Sequence, residues 1–183
     1  MNSNSNVEVH MRIKHLLAIV VLPMFLSACL GTPKGIKPVE NFDIGSYSGQ
    51  WYEIARMKNG FEKNLDHVTA NYSLNDDGSI KVINQGMNHQ NGEMSNIEGS
   101  ATFAKTDDIG YLKVSFFKPF SASYVIFKLD SNYEYAYVTS YNKDYLWLLS
   151  RTPTVSKSVL DDFYTTAKEK GFKVENLIQV DQQ

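Results

Sequence analysis

A single cysteine in 183 residues leaves no disulfide framework, so the fold must hold by packing and hydrogen bonding. The N-terminal apolar run, Leu16 to Phe25, falls well short of the roughly 20 residues that a membrane helix needs. Basic excess is also missing: 18 Lys and Arg stand against 20 Asp and Glu, which gives no cationic footprint for nucleic acid. His67 and His89 lie in loops without a companion at ligand spacing, so no metal site is expected. No Gly-x-Ser-x-Gly, phosphate loop or convergent carboxylate pair occurs. Asp76-Asp77 and Asp107-Asp108 read as turn residues, and Asp161-Asp162 as the watery face of a helix. These absences point away from catalysis and from any cofactor.

What is present begins with a secretory signal. Arg12, Lys14 and His15 form its positive end, Leu16 to Phe25 its apolar core, and Ser27-Ala28 its small residues. The polar stretch Asn2 to His10 belongs to no part of a signal, so translation starts at Met1 or at Met11. Leu26-Ser27-Ala28-Cys29 resembles the lipobox of bacterial lipoproteins, which implies cleavage before Cys29 and acylation of its thiol. Two or three acyl chains anchor firmly where one binds marginally. Leu30 stands where the inner-membrane retention signal of such proteins carries Asp, which implies the outer membrane, facing the periplasm. The division is therefore a signal peptide over 1–28, a lipidated tether over 29–43, rich in Gly and Pro, and one domain over 44–183.

That domain reads as eight short β-rich runs: Trp51 to Met57, Val68 to Leu74, Ile80 to Met87, Ile97 to Phe103, Tyr111 to Phe117, Tyr124 to Leu129, Tyr135 to Tyr141 and Tyr145 to Arg151. Asn, Asp and Gly clusters between them tolerate the positive φ of tight turns, so successive strands are antiparallel neighbours. After the eighth run the period becomes helical, with Val159, Leu160, Phe163, Tyr164 and Ala167 on one stripe of a helix over 156–170. A last strand, Lys173 to Ile178, pairs beside the first. Eight antiparallel strands solve their edge problem by closing, and an eight-stranded barrel is wide enough to be filled by side chains or to hold one small ligand. The expected fold is thus all-β, an eight-stranded antiparallel up-and-down β-barrel with one C-terminal helix packed outside.

Gly49-Gln50-Trp51-Tyr52-Glu53-Ile54-Ala55-Arg56 resembles the signature that opens the first strand of the lipocalins. Tyr145-Leu146-Trp147-Leu148-Leu149-Ser150-Arg151-Thr152-Pro153 is similar to that family's last-strand motif, and a helix follows it. The family's Thr-Asp-Tyr element is reduced to Asp130-Ser131-Asn132-Tyr133. With the lipobox, the resemblance is to bacterial lipocalins of the outer membrane. It implies a fatty acid or lysophospholipid as partner, and it implies that Trp51 and Arg151 meet at the closed end, the guanidinium lying over the indole.

Strand parity puts Trp51, Glu53 and Ala55 on the inner face. Small residues there, including Ala55, Ala70, Gly99 and Ala101, leave space, while Val82, Val114, Phe116, Trp147 and Leu149 enclose an acyl chain. Glu53, Tyr72 and Asn84 are the polar points for a headgroup. Glu53 either meets that headgroup or pairs with Arg151 or a tyrosine hydroxyl, because an unpaired buried carboxylate is costly. Phe61 and Phe120 either sit at the open mouth, touching lipid or a second subunit of a homodimer, or pack within their loops. The alternative to a lipid carrier is a structural lipoprotein whose barrel is filled.

Overall fold

Turn chemistry sets the topology. Gly78, at φ +80°, lets Asn75 to Ser79 reverse the chain, and Gly92, at φ +73°, does the same between the next two strands. The computed structural model describes residues 30–183; the signal peptide and Cys29 lie outside the described residues. The strands are β1 (Gly49–Met57), β2 (Leu65–Leu74), β3 (Ile80–Asn88), β4 (Met94–Phe103), β5 (Tyr111–Ser115), β6 (Ala122–Leu129), β7 (Tyr135–Thr139) and β8 (Leu146–Ser150). Each pairs antiparallel with the next, and β1 pairs with both β2 and β8. The barrel is therefore closed.

A four-residue helix, α1 (Ile44–Tyr47), precedes β1, and its N-cap Asp43 accepts from the amides of Gly45 and Ser46. The C-terminal helix α2 (Lys157–Glu169) starts at Ser156, whose side chain accepts from the Val159 amide, and Gly171 at φ +77° ends it. Its apolar stripe buries Phe163 and Ala167 against the outside of the barrel, the Phe163 ring standing 5.0 Å edge-on from Tyr137. Asp162 faces water as expected, and it also accepts from the Tyr137 hydroxyl at 2.5 Å and pairs with Lys128 at 2.6 Å. It fastens α2 to β6 and β7.

The expected final strand begins later than its sequence suggests. Val174–Asn176 forms a 3-10 turn, and only β9 (Leu177–Gln179) pairs, lying against Ala55 to Met57. Beyond it the Gln182 side chain donates to the carbonyls of Glu53 and Val68 at 2.8 and 2.9 Å. The tail thus stitches β1 to β2 where their own pairing has stopped at Tyr52 and Thr69.

Residues 30–43, expected as a flexible tether, lie along the barrel wall. Pro33, Ile36 and Phe42 are buried, Val39 exchanges backbone hydrogen bonds with Ile126 and Gly110, and the Gly31 amide donates to the Tyr111 hydroxyl at 3.0 Å. Apolar residues spaced among the Gly and Pro dock the segment.

Two apolar layers result. Between the barrel and α2 lie Ile54, Ala55, Met57, Tyr137, Leu148 and Phe163, among others; inside the barrel lie Trp51, Tyr72, Val82, Ala101, Leu112 and Leu149.

Candidate functional site

Ala55 belongs to the outer layer, against the inner-face position that strict alternation gives it. The register on β8 shifts between Glu53, opposite Leu149, and Ala55, opposite Leu148. This β-bulge inserts one residue, so the following side chains exchange faces. Ala55 and Met57 turn toward α2. Arg56 turns inward, opposite Trp147.

Inside, the barrel divides by depth. At the closed end the Arg151 guanidinium carbon sits 3.9 Å from the centre of the Trp51 ring, as the sequence resemblance implies. Its nitrogens donate to the carbonyls of Ser46 at 2.7 Å and Gln50 at 2.9 Å, tying α1 across the barrel floor. The fully buried indole donates to the Tyr47 carbonyl at 2.8 Å.

Above that floor the barrel is filled. Tyr47, Tyr72 and Tyr124 bring their hydroxyls together, at 2.7 Å between Tyr47 and Tyr124 and 2.8 Å between Tyr72 and Tyr124. Burial pushes all three well above the ordinary phenol range, so they remain neutral hydrogen-bonding groups. Tyr72, expected to greet a headgroup, is thus committed to its neighbours at 3% exposure. Val82 and Ala101, each 1% exposed, and Leu149, at 4%, pack in the same layer rather than line open space. A small residue here makes room for a large one: a Cβ on Gly99 would lie 2.6 Å from the Phe116 ring.

Toward the other end the inward side chains of Ala70, Asn84, Val114, Phe116 and Trp147 are only partly buried. With the floor sealed, that exposure comes through the mouth. Asn84 faces Ala70 on β2 and Ile97 on β4, and its side-chain oxygen is buried without a hydrogen-bond partner. Two clefts of about 310 and 370 Å3 lie outside the barrel, beside Asp130 to Tyr135 and beside β9, and neither reaches Asn84 or Trp147.

Beneath the mouth, against the wall, lies an arrangement that sequence reading missed. Arg56 donates to Glu53 at 2.7 Å and to the carbonyls of Glu62 and Leu65 at 2.9 Å each. Glu62 lies 3.8 Å from the same guanidinium and accepts from Trp147 Nε1 at 3.2 Å and from Asn59. All three charged side chains are buried. Burial, then repulsion from Glu62, holds the Glu53 carboxyl well above the usual range despite Arg56. One guanidinium stands between two buried carboxylates, which favours the protonated form of Glu53. The signal for this pairing was the Glu53-x-x-Arg56 spacing, which only a bulge brings onto one face.

At the rim, Phe61 is 64% exposed yet stacks near Tyr145 and Trp147, at 6.2 and 6.4 Å between ring centres. Phe120 lies in the turn between β5 and β6, 60% exposed.

Comparison with known proteins agrees with this architecture. The lipocalin-like domain family model matches residues 42–182. The chain is 48% identical to outer membrane lipoprotein Blc of Vibrio cholerae, over 90% of this chain and 97% of that protein. It is 43% identical to Escherichia coli K12 outer membrane lipoprotein Blc, over 94% and 98%. Tobacco hornworm insecticyanin, at 21% identity, superposes with a TM-score of 0.66 over 82% of this chain and 86% of that one. The Gly-x-Trp strand, the Arg151 closure and these relatives converge: the chain belongs to the lipocalin family, among its outer-membrane lipoproteins.

Proposed function

We propose that this protein is a lipid-binding lipoprotein that holds a fatty acid or lysophospholipid in the upper half of its barrel. Acyl chains on Cys29 anchor it to the outer membrane on the periplasmic side. The observation that carries the reading is the upper wall: Ala70, Val114, Phe116 and Trp147 offer apolar surface, and the unpartnered Asn84 amide offers one polar point, a mostly hydrophobic site with sparse polar groups. Apolar burial supplies the driving force, at about 25 cal/mol per Å2. A glycerol hydroxyl satisfies the Asn84 oxygen, which an acyl chain alone does not. Glu53 takes the pairing role with Arg56, so the headgroup role falls to Asn84. Binding for storage, transport or envelope maintenance fits this site.

The test is uptake of a fluorescent acyl chain by delipidated protein. Saturable binding that quenches Trp147, and that weakens when Ala70→Phe fills the upper barrel, is the expected result. Absence of saturable uptake would falsify the carrier reading. It would favour the filled-barrel structural lipoprotein, for which the packed tyrosine layer is the supporting observation.

A further inference from the structure

The up-and-down order places the 58–64, 89–93, 116–121 and 140–145 connections at one end of the barrel. Four of the six exposed large apolar side chains among the described residues lie in or beside them: Phe61 at 64%, Met94 at 66%, Phe117 at 69% and Phe120 at 60%. Water-exposed aromatic side chains grouped on one surface mark a contact site. Their setting is cationic, since Lys58, Lys63, Lys118 and Lys143 stand in these loops against the unburied Glu93 and Asp144. The opposite end is acidic, with Asp43, Asp76, Asp77, Asp107, Asp108, Asp130 and Glu134 against Lys105 and the stacked Arg151.

The N-terminal segment supplies the second argument. From Val39, bonded beside Gly110 near the closed end, it climbs the outer wall to Gly31. The Tyr111 hydroxyl that receives the Gly31 amide also meets the Ser123 side chain at 3.1 Å, and Ser123 is the second residue of β6, directly after the turn that carries Phe117 and Phe120. Cys29 is two residues from Gly31, within about 7 Å of extended chain. The anchor point and the aromatic rim therefore share one end.

We propose that this rim is a membrane-contact surface, and that the protein sits mouth-down on the phospholipid leaflet its own lipid anchor enters. The aromatic side chains enter the interfacial region, the lysines meet anionic headgroups, and the acidic end faces away. An acyl chain then passes between bilayer and barrel without crossing water. The inference rests on the anchoring part of the proposed function and not on its ligand.

The acylated Cys29 leaves an introduced cysteine as the one free thiol. Lipidated protein carrying Phe117→Cys, or Asp76→Cys at the closed end, is labelled with an environment-sensitive fluorophore and reconstituted in phosphatidylethanolamine–phosphatidylglycerol vesicles. Both positions are exposed, so neither change disturbs the fold. The probe at 117 is expected to shift to the blue and lose most of its emission to nitroxide-labelled phospholipid, while the probe at 76 does neither. Equal quenching at both positions, or none at 117, overturns the proposal. A blue shift at 117 that depends on protein concentration, without lipid quenching, identifies a second copy as the occupant and also overturns it. Quenching at 117 in protein that takes up no acyl chain supports the membrane contact while ending the ligand reading. Protein that washes off the vesicles ends both the anchor and the contact.

Discussion

The upward shift of the Glu53 carboxyl has a measurable consequence. In the unfolded chain a glutamate titrates near 4.3, whereas in the fold burial and Glu62 raise this carboxyl well above its ordinary range. The raised group contributes stability that is full below the unfolded value and is lost as pH climbs through the folded one. Asp43, Asp77 and Asp162 are shifted the other way, chiefly by side-chain hydrogen bonds from Ser46, Ser79 and Lys128, so their contributions fade only in stronger acid. Urea midpoints should therefore fall as pH rises above the ordinary glutamate range, and Glu53→Gln, which keeps an acceptor for Arg56, should flatten that fall. Parallel pH dependence in the two proteins would rule the account out. At the closed end, Arg151→Lys keeps the charge but gives up the flat stack and part of the fork that reaches Ser46 and Gln50. A loss of about 1–2 kcal/mol is expected in equilibrium unfolding followed by Trp51 fluorescence, with acyl uptake unchanged.

Among the elements, β1 shows how far alternation can be trusted. Trp51 and Glu53 follow the strand period inward as the sequence predicts, but the bulge after Glu53 reverses every later residue. Nothing in Ile54-Ala55-Arg56 marks a bulge; along this stretch β9 and the tail take over the pairing that β2 has given up. The assignment is testable by pairing two substitutions. Ala55→Phe should overpack the α2 interface, costing about 1–3 kcal/mol and leaving uptake intact, whereas Ala70→Phe should block uptake. Reversal of those two effects would restore Ala55 to the cavity. The small inner residues taught a related lesson. Gly99 looked like empty space in the sequence, but Phe116 occupies it, and Gly99→Ala should destabilise by a similar amount through the Phe116 ring and the Ser115 carbonyl, 2.6 and 2.7 Å from the new Cβ.

For the whole molecule, the division of the barrel into a sealed floor, a packed middle and a partly exposed upper wall limits where a ligand can act. A lipid bound only in the upper half should stabilise the entire fold by mass action, by about 2.7 kcal/mol at a hundredfold excess over Kd, seen as a rise in Tm. No rise at saturation would mean that the ligand does not prefer the folded protein to the unfolded chain, which would end the carrier reading. The sequence by itself determined the strand count and order, the helix, the closing pair Trp51 and Arg151 and the outer-membrane lipoprotein class, because period, turn residues and short motifs are local properties of a chain. Only the tertiary structure decided which small residues are filled, that Tyr72 is spent on other tyrosines, that Arg56 joins Glu53 and Glu62, and that residues 31–43 pack along the outer wall of the barrel. Each of these depends on which distant strand stands opposite, and a one-residue shift in register changes the partner of every side chain after it.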